Sequence, residues 1–155
     1  MSPRAACRLA ALGFTHVFDY VPGKVDWLAH NLPVEGTAAG APTIGARLRD
    51  DVATASLDEP VAAVRARVTA SRYGFALVLA ADQVTLLGRL RPSVLASADL
   101  DRPAGEVMEP GPSTLRPHEP VREIGQRLAE RHLTYAVVTD PEGHLLGTVH
   151  PSDLH

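Results

Sequence analysis

Cysteine is almost missing. Cys7 stands alone among 155 residues, so no disulfide can form within one chain and nothing requires an oxidising compartment. Lysine is equally scarce, Lys24 being the single one beside an otherwise all-arginine basic set. A basic excess is lacking too: 15 Lys and Arg against 18 Asp and Glu give a net charge of −3, which argues against nucleic acid as a partner. No apolar run approaches the roughly 20 residues of a membrane span, so no membrane partner is expected. The apolar N-terminus is broken by Arg8, His16 and Asp19 and leaves no signal-peptide core, which makes the cytoplasm the expected location. There is neither a phosphate-cradling glycine loop nor a Gly-x-Ser-x-Gly elbow. The seven histidines are scattered without a pair at metal spacing, and no metal site is expected from them.

What the chain does have is a repeat. The segment Gly147-Thr148-Val149-His150-Pro151-Ser152-Asp153-Leu154 echoes Gly88-Arg89-Leu90-Arg91-Pro92-Ser93-Val94-Leu95. At an offset near sixty, Glu119-Pro120-Val121 answers Glu59-Pro60-Val61, Thr114 answers Thr54, and Gly105 answers Gly45. Ala136 and Val138 likewise answer Ala76 and Val78. A period sustained from Ile44 to Leu154 is a duplicated unit. With nearly half its residues apolar and about a fifth charged, the chain is globular.

Each copy predicts one order of elements. A helical turn (residues 44–48; 104–108) leads to a short strand (52–54; 113–115). A helix follows with Pro60 or Pro120 in its first turn and a buried stripe at Val61, Val64, Val68 or Val121, Ile124, Leu128. Two strands come next, residues 75–80 and 84–90, or 134–139 and 144–150, the second pair joined by the turn Asp140-Pro141-Glu142-Gly143. A second helix starts at Pro92; its counterpart has barely begun at His155.

The first thirty-six residues predict a helix from Ser2-Pro3 to Gly13, a strand over 15–20 and a short helix around Trp27. Residues 32–43 read as a linker. Through Ser2, Ala5-Ala6, Leu9, Gly13-Phe14, Val17, Gly23, Trp27 and Leu32-Pro33 this opening resembles the C-terminal part of a rhodanese domain. In that family the nucleophilic cysteine lies in a loop before this helix. That loop would precede Met1, so a sulfurtransferase is expected only if the true start lies upstream. Cys7 is expected as a buried or half-buried helix residue.

From about residue 43 onward the chain resembles a tandem pair of CBS domains (a Bateman module). The resembling residues are Val107-Met108, Thr114, Val137-Val138, Asp140, Gly143, Gly147 and Asp153-Leu154. The resemblance implies an α+β fold of two β-α-β-β-α repeats packed with pseudo-twofold symmetry. Its expected divisions are a rhodanese-like remnant over 1–36, one repeat over 43–100 and a second over 101–155. It implies a non-enzymatic regulatory module that needs no cofactor. An adenine nucleotide such as AMP or ATP, or S-adenosylmethionine, is the implied regulatory ligand, with a homodimer and a regulated protein partner.

By that resemblance Asp153 accepts hydrogen bonds from the ribose hydroxyls, and His150 stands where the family has Ser or Thr beside the phosphate. Thr114 approaches the base, and the backbone around Ala136 and Val137 lines its pocket. The first copy keeps Thr54 but has Val94 in place of the carboxylate. Arg91 there either reaches a phosphate or is a solvated surface residue; Arg116 and Arg72 are weaker candidates for phosphate. Read without the resemblance, Asp153 is a helix-start residue behind Ser152, stabilising by about 0.5–2 kcal/mol. Asp99, Asp101, Glu106 and Glu109 are either a weak divalent-cation site or a solvated linker. A ligand-free dimerisation module is the alternative function.

Overall fold

Two small sheets, each with the same internal order, make up the body of the computed structural model. The structure describes residues 3–18, 20–30, 32–36 and 40–154. In the first copy β1 (Ala53–Ser56) runs parallel to β2 (Ala76–Leu79), which pairs antiparallel with β3 (Leu86–Leu90). A further short strand, β4 (Glu109–Pro110), closes that sheet against β3. In the second copy β5 (Thr114–Leu115), β6 (Ala136–Thr139) and β7 (Leu145–Val149) repeat the parallel and antiparallel pairing. The registers correspond residue for residue. Thr54 faces Leu77 as Thr114 faces Val137, and Val78 faces Gly88 as Val138 faces Gly147. Even the irregularity after Val78 recurs after Val138.

The crossover helices are α3 (Val61–Ala70) and α6 (Val121–Glu130). Their expected stripes are the buried ones: Val61, Val64 and Val68, and Val121, Ile124 and Leu128. Spacings of three and four residues place each set on one face, which covers its own sheet. Pro60 and Pro120 stand one position earlier than expected, as N-caps in extended conformation. After β3 the chain enters α4 (Pro92–Ser97), whose Leu95 is buried; after β7 it makes a 3-10 turn, Pro151–Asp153, followed by buried Leu154.

The leading turns cross over. The 3-10 turn Ile44–Arg47 precedes the first copy but buries Ile44 among Val121, Ile124, Leu128, Val138 and Val149 of the second. Helix α5 (Ala104–Val107) precedes the second copy and buries Ala104 in the first. The same two hydrogen bonds hold each: Gly45 N–H donates to Pro117 O and Ile44 N–H to Glu119 O, while Gly105 N–H donates to Leu57 O and Ala104 N–H to Glu59 O. Residue 49 then pairs with Thr148 as Glu109 pairs with Arg89. Gly147 and Gly88 exist for this approach. A Cβ on Gly147, at φ +146°, would stand 2.5 Å from Arg49 O, and one on Gly88 would stand 2.8 Å from Glu109 O.

Between the sheets a third core joins Val52, Phe75 and Leu77 to Val137. Its centre is the stack of the equivalent rings Phe75 and Tyr135, with centroids 4.0 Å apart and planes 13° from parallel. Leu86 N–H donates to Gly143 O and Leu145 N–H donates to Val84 O, a reciprocal pair across the same pseudo-twofold axis.

The opening segment departs from expectation. Helices α1 (Pro3–Ala11) and α2 (Lys24–Ala29) form, with Gly13 at φ +94° ending the first. Ser2, the expected cap, lies outside the described residues. The strand expected over 15–20 is not found at residues 15–18 or 20. Among the described residues no strand lies beside it to satisfy its backbone, and Phe18 and Val21 are more than 80% exposed. Cys7 is exposed, contrary to the expected burial: it lies on the solvent side of α1. Residues 32–36 and 40–42 are irregular, but the end of the linker expected over 32–43 is tied down: Thr43 pairs with Pro120, and Pro42 O accepts from Val121 N–H. No helix among the described residues is long and apolar enough to cross a membrane.

Candidate functional site

The end of β7 and the exchanged leading turn together form a cavity of about 480 Å3, lined by Ala46, Arg47, Leu48, Arg49, Ser152 and Asp153. Arg49 is brought there by backbone pairing: its N–H donates to Thr148 O at 2.8 Å and its carbonyl accepts from Thr148 N–H at 2.9 Å. Its guanidinium Nη2 donates to Asp153 Oδ1 at 2.5 Å and to Ser152 Oγ at 3.2 Å. The hydrogen bond from Arg49, together with its charge, holds the Asp153 carboxyl below the usual carboxylate range. The other oxygen, Asp153 Oδ2, is buried and has no hydrogen-bond partner among the described residues.

His150 lies at the other side of this segment, its ring stacked on Tyr73 with centroids 4.8 Å apart and near Tyr135 at 6.4 Å. Burial first, then the nearby Arg49 charge, pulls its pKa below the ordinary histidine value. Thr114 belongs to a separate network on the sheet. Its Oγ1 accepts from Arg116 Nη1 and from Thr139 Oγ1, both at 3.1 Å, and Arg116 also donates to Thr139 Oγ1. Val137 is opposite Thr114 and Ala136 is opposite Val149, so β6 is paired on both edges. The Val137 side chain is buried in the core between the copies.

In the first copy Thr54 occupies the register position of Thr114, and Val94 packs partly buried against the first core. Arg91 is engaged: its Nε is 2.7 Å from Glu109 Oε2, which also receives Arg89 Nε at 3.1 Å. Arg72 stands 3.9 Å from Asp51. Of the acidic residues between the copies, Glu109 is taken by Arg89 and Arg91, and Glu106 by Arg102 at 3.1 Å. That pairing disperses the cluster rather than gathering it around a cation.

Sequence reasoning missed Arg49. The signal was available only through the offset, which makes residue 49 the counterpart of Glu109. It also missed the grouping of Asp140, Glu142 and His144 in the β6–β7 turn, whose potential ligand atoms all lie within 4.8 Å of one another. Their alternation, Asp-x-Glu-x-His, is short enough to pass for turn composition.

Residues 104–155 match the CBS domain family. No curated protein matches the chain. Among solved structures it is similar to the CBS domains of a transcriptional regulator from Streptococcus pneumoniae, at 16% identity and a TM-score of 0.64, covering 73% of this chain and 96% of that one. A CBS domain protein from Pyrobaculum aerophilum complexed with AMP is similar at 19% identity and a TM-score of 0.59, covering 72% of this chain and 89% of that one. The soluble part of a magnesium transporter is similar at 17% identity and a TM-score of 0.63; the match covers 72% of this chain but only 45% of that one. The fold is therefore that of CBS-domain structures, and the matched share of this chain extends well beyond residues 104–155.

Proposed function

We propose that the chain is a regulatory module built from a tandem pair of CBS repeats, binding one adenosine nucleotide beside Asp153 and acting on a partner protein rather than catalysing a reaction. The carrying observation is Asp153 Oδ2, a buried acceptor without a donor among the described residues, in a residue lining a 480 Å3 cavity. Leaving such an atom unsatisfied costs about 1–3 kcal/mol, which a ribose hydroxyl would recover. Arg47 and Arg49 line the same cavity and supply the donors that a phosphate asks for. Support also comes from the similar structures bound to AMP, in the Pyrobaculum aerophilum protein, and to ATP, in the cytosolic domain of a magnesium channel.

The Arg49–Asp153 contact sets the terms of binding. A ribose must share or displace the guanidinium, and a displaced Arg49 becomes a free cation in the cavity. Calorimetric titration of the whole chain with AMP, ATP and S-adenosylmethionine tests the reading. One site per chain for an adenosine compound is expected, with sedimentation reporting a dimer. No heat with any of the three at millimolar concentration favours the ligand-free dimerisation module, in which Arg49 holds Asp153 permanently.

A further inference from the structure

We propose that Asp140, Glu142 and His144, in the turn between β6 and β7, form a binding site for a divalent transition-metal ion of the zinc class, with His30 from the N-terminal segment in contact with one of its ligands, Glu142. The three turn residues each offer a ligand atom, and these atoms lie within 4.8 Å of one another. One imidazole nitrogen with two carboxylates is a donor set for zinc or a neighbouring transition metal; magnesium and calcium prefer oxygen throughout.

The turn itself explains part of this cluster but not all of it. In the first copy Asp82 closes the equivalent turn, accepting from Val84 N–H, Thr85 N–H and the Thr85 hydroxyl. Asp140 does the same work in the second copy, accepting from His144 N–H at 2.8 Å and lying 2.8 Å from His144 Nδ1. A threonine hydroxyl suffices for such a cap, yet the second copy has an imidazole there. It also adds Glu142, which no capping bond employs. His30 is brought to Glu142 from 112 residues away, its Nε2 at 3.0 Å from Oε2.

The His30 ring is fixed by its other nitrogen. Nδ1 lies 3.0 Å from Asp26 O, a carbonyl that only accepts, so Nδ1 carries the hydrogen. Nε2 faces Glu142 Oε2 at 3.0 Å, so the His30 ring sits at the edge of the three-residue cluster. An ion held by Asp140, Glu142 and His144 would sit next to that contact. Asp26 and its donor Tyr20, whose hydroxyl is 2.6 Å from Asp26 Oδ2, hold the His30 end in place. The ion is thereby coupled to α2 through the Glu142–His30 contact.

The test uses the full chain carrying Cys7→Ser, so that the thiol does not contribute, and zinc chloride as the probe. Calorimetry is expected to show one zinc per chain, and magnesium at the same concentration none. Glu142→Gln and His144→Ala should each weaken zinc binding at least tenfold, with folding checked by circular dichroism. Glu142→Gln is the safer variant, since Glu142 is half exposed and caps nothing. Trp27, the only tryptophan, lies three residues before His30 and should change its emission when zinc binds. His30→Ala should abolish that change. No binding at millimolar zinc, undiminished binding in Glu142→Gln and His144→Ala together, or an emission change that survives His30→Ala would overturn the assignment.

Discussion

Arg49 and Glu109 occupy equivalent positions in the two copies, each paired with the strand that ends at its candidate site, and they carry opposite charges. Arg49 meets an acid, Asp153; Glu109 meets two bases, Arg89 and Arg91. The duplicated fold thus presents two sites of inverted polarity. In the first the end of β3 is basic and the exchanged segment acidic; in the second the roles reverse. Arg49→Glu should therefore do more than lose a contact. It places two carboxylates together and leaves Asp153 unpaired, and it should lower the melting temperature, though modestly, because both side chains are partly exposed and solvent screens the pair. Asp153→Arg in the same chain should restore most of the loss. Thermal melts of the two single variants and the double variant measure it; a double variant no better than the singles would mean that the pair contributes nothing.

The same exchange explains what the sequence concealed. The offset of sixty made the crossover helices, the paired strands and the Gly-x-x-x-Pro-Ser ending legible, because each rests on local periodicity or on glycine and proline chemistry. Arg49 meeting Asp153, at a separation of 104 residues, does not follow from any local pattern. Strand β4 was missed for a related reason: Glu109-Pro110 has no strand propensity and exists only because β3 offers an edge. At residues 15–20 the error ran the other way. Thr15, Val17 and Phe18 have the propensity, but without a partner strand it forms nothing. The glycines of the repeat motif mark the duplication in sequence, but only the structure shows that Gly147 and Gly88 admit a neighbouring backbone.

That reading of Gly147 makes a stability prediction. Gly147→Ala puts a methyl 2.5 Å from Arg49 O while also forcing a side chain onto φ +146°. A cost of about 2–4 kcal/mol is expected from strain plus the displaced segment. Gly88→Ala should cost less, because its backbone is not in the left-handed region, the backbone atom it meets, Glu109 O, stands at 2.8 Å, and its tightest contact is with the flexible Met108 side chain. Urea midpoints decide; equal and small losses would show that the leading turns yield easily.

Stability should also fall on mild acidification, through His150. Its pKa is lowered in the folded state, chiefly by burial against Tyr73 and Tyr135, with Arg49 adding repulsion and Asp153 and Asp51 opposing it. The unfolded chain takes up this proton near pH 6.5, the folded chain only at lower pH. The contribution is thus fully present above about pH 6.5 and declines as pH drops from there toward the folded value. His150→Phe keeps a ring on Tyr73 and removes the titration. Its unfolding free energy should change less than that of wild type between pH 7.5 and 5.5, and an identical change in both would dismiss His150 as the cause.

Cys7 gives a prediction of absence. An exposed thiol on α1 has none of the convergent backbone donors that a sulfur-transferring cysteine requires. Incubation with thiosulfate and cyanide should yield no thiocyanate above background. Formation that disappears in Cys7→Ser would establish the enzyme instead.

Ligand binding by Asp153 is the most demanding prediction, because the carboxylate is already bound to Arg49. If a ribose uses Asp153 Oδ2, the hydrogen bond to a charged acceptor contributes about 1.5–3 kcal/mol. Asp153→Ala should then weaken AMP binding roughly 10- to 150-fold, at 1.4 kcal/mol per tenfold. Val94→Ala, the equivalent change in the first copy, should do little. A 2′,3′-dideoxy analogue should bind wild type more weakly but lose little further affinity in Asp153→Ala, since both changes remove the same contact. Arg49→Ala separates two roles. A loss specific to phosphate-bearing ligands, with adenosine unaffected, identifies Arg49 as a phosphate donor. A gain for adenosine identifies it as a competitor that holds Asp153 until ribose arrives. Additive losses from Asp153→Ala and the dideoxy analogue would place Asp153 outside the ribose site. Its role would then be the one that Arg49 and Ser152 already define, fastening the end of β7 to the exchanged turn.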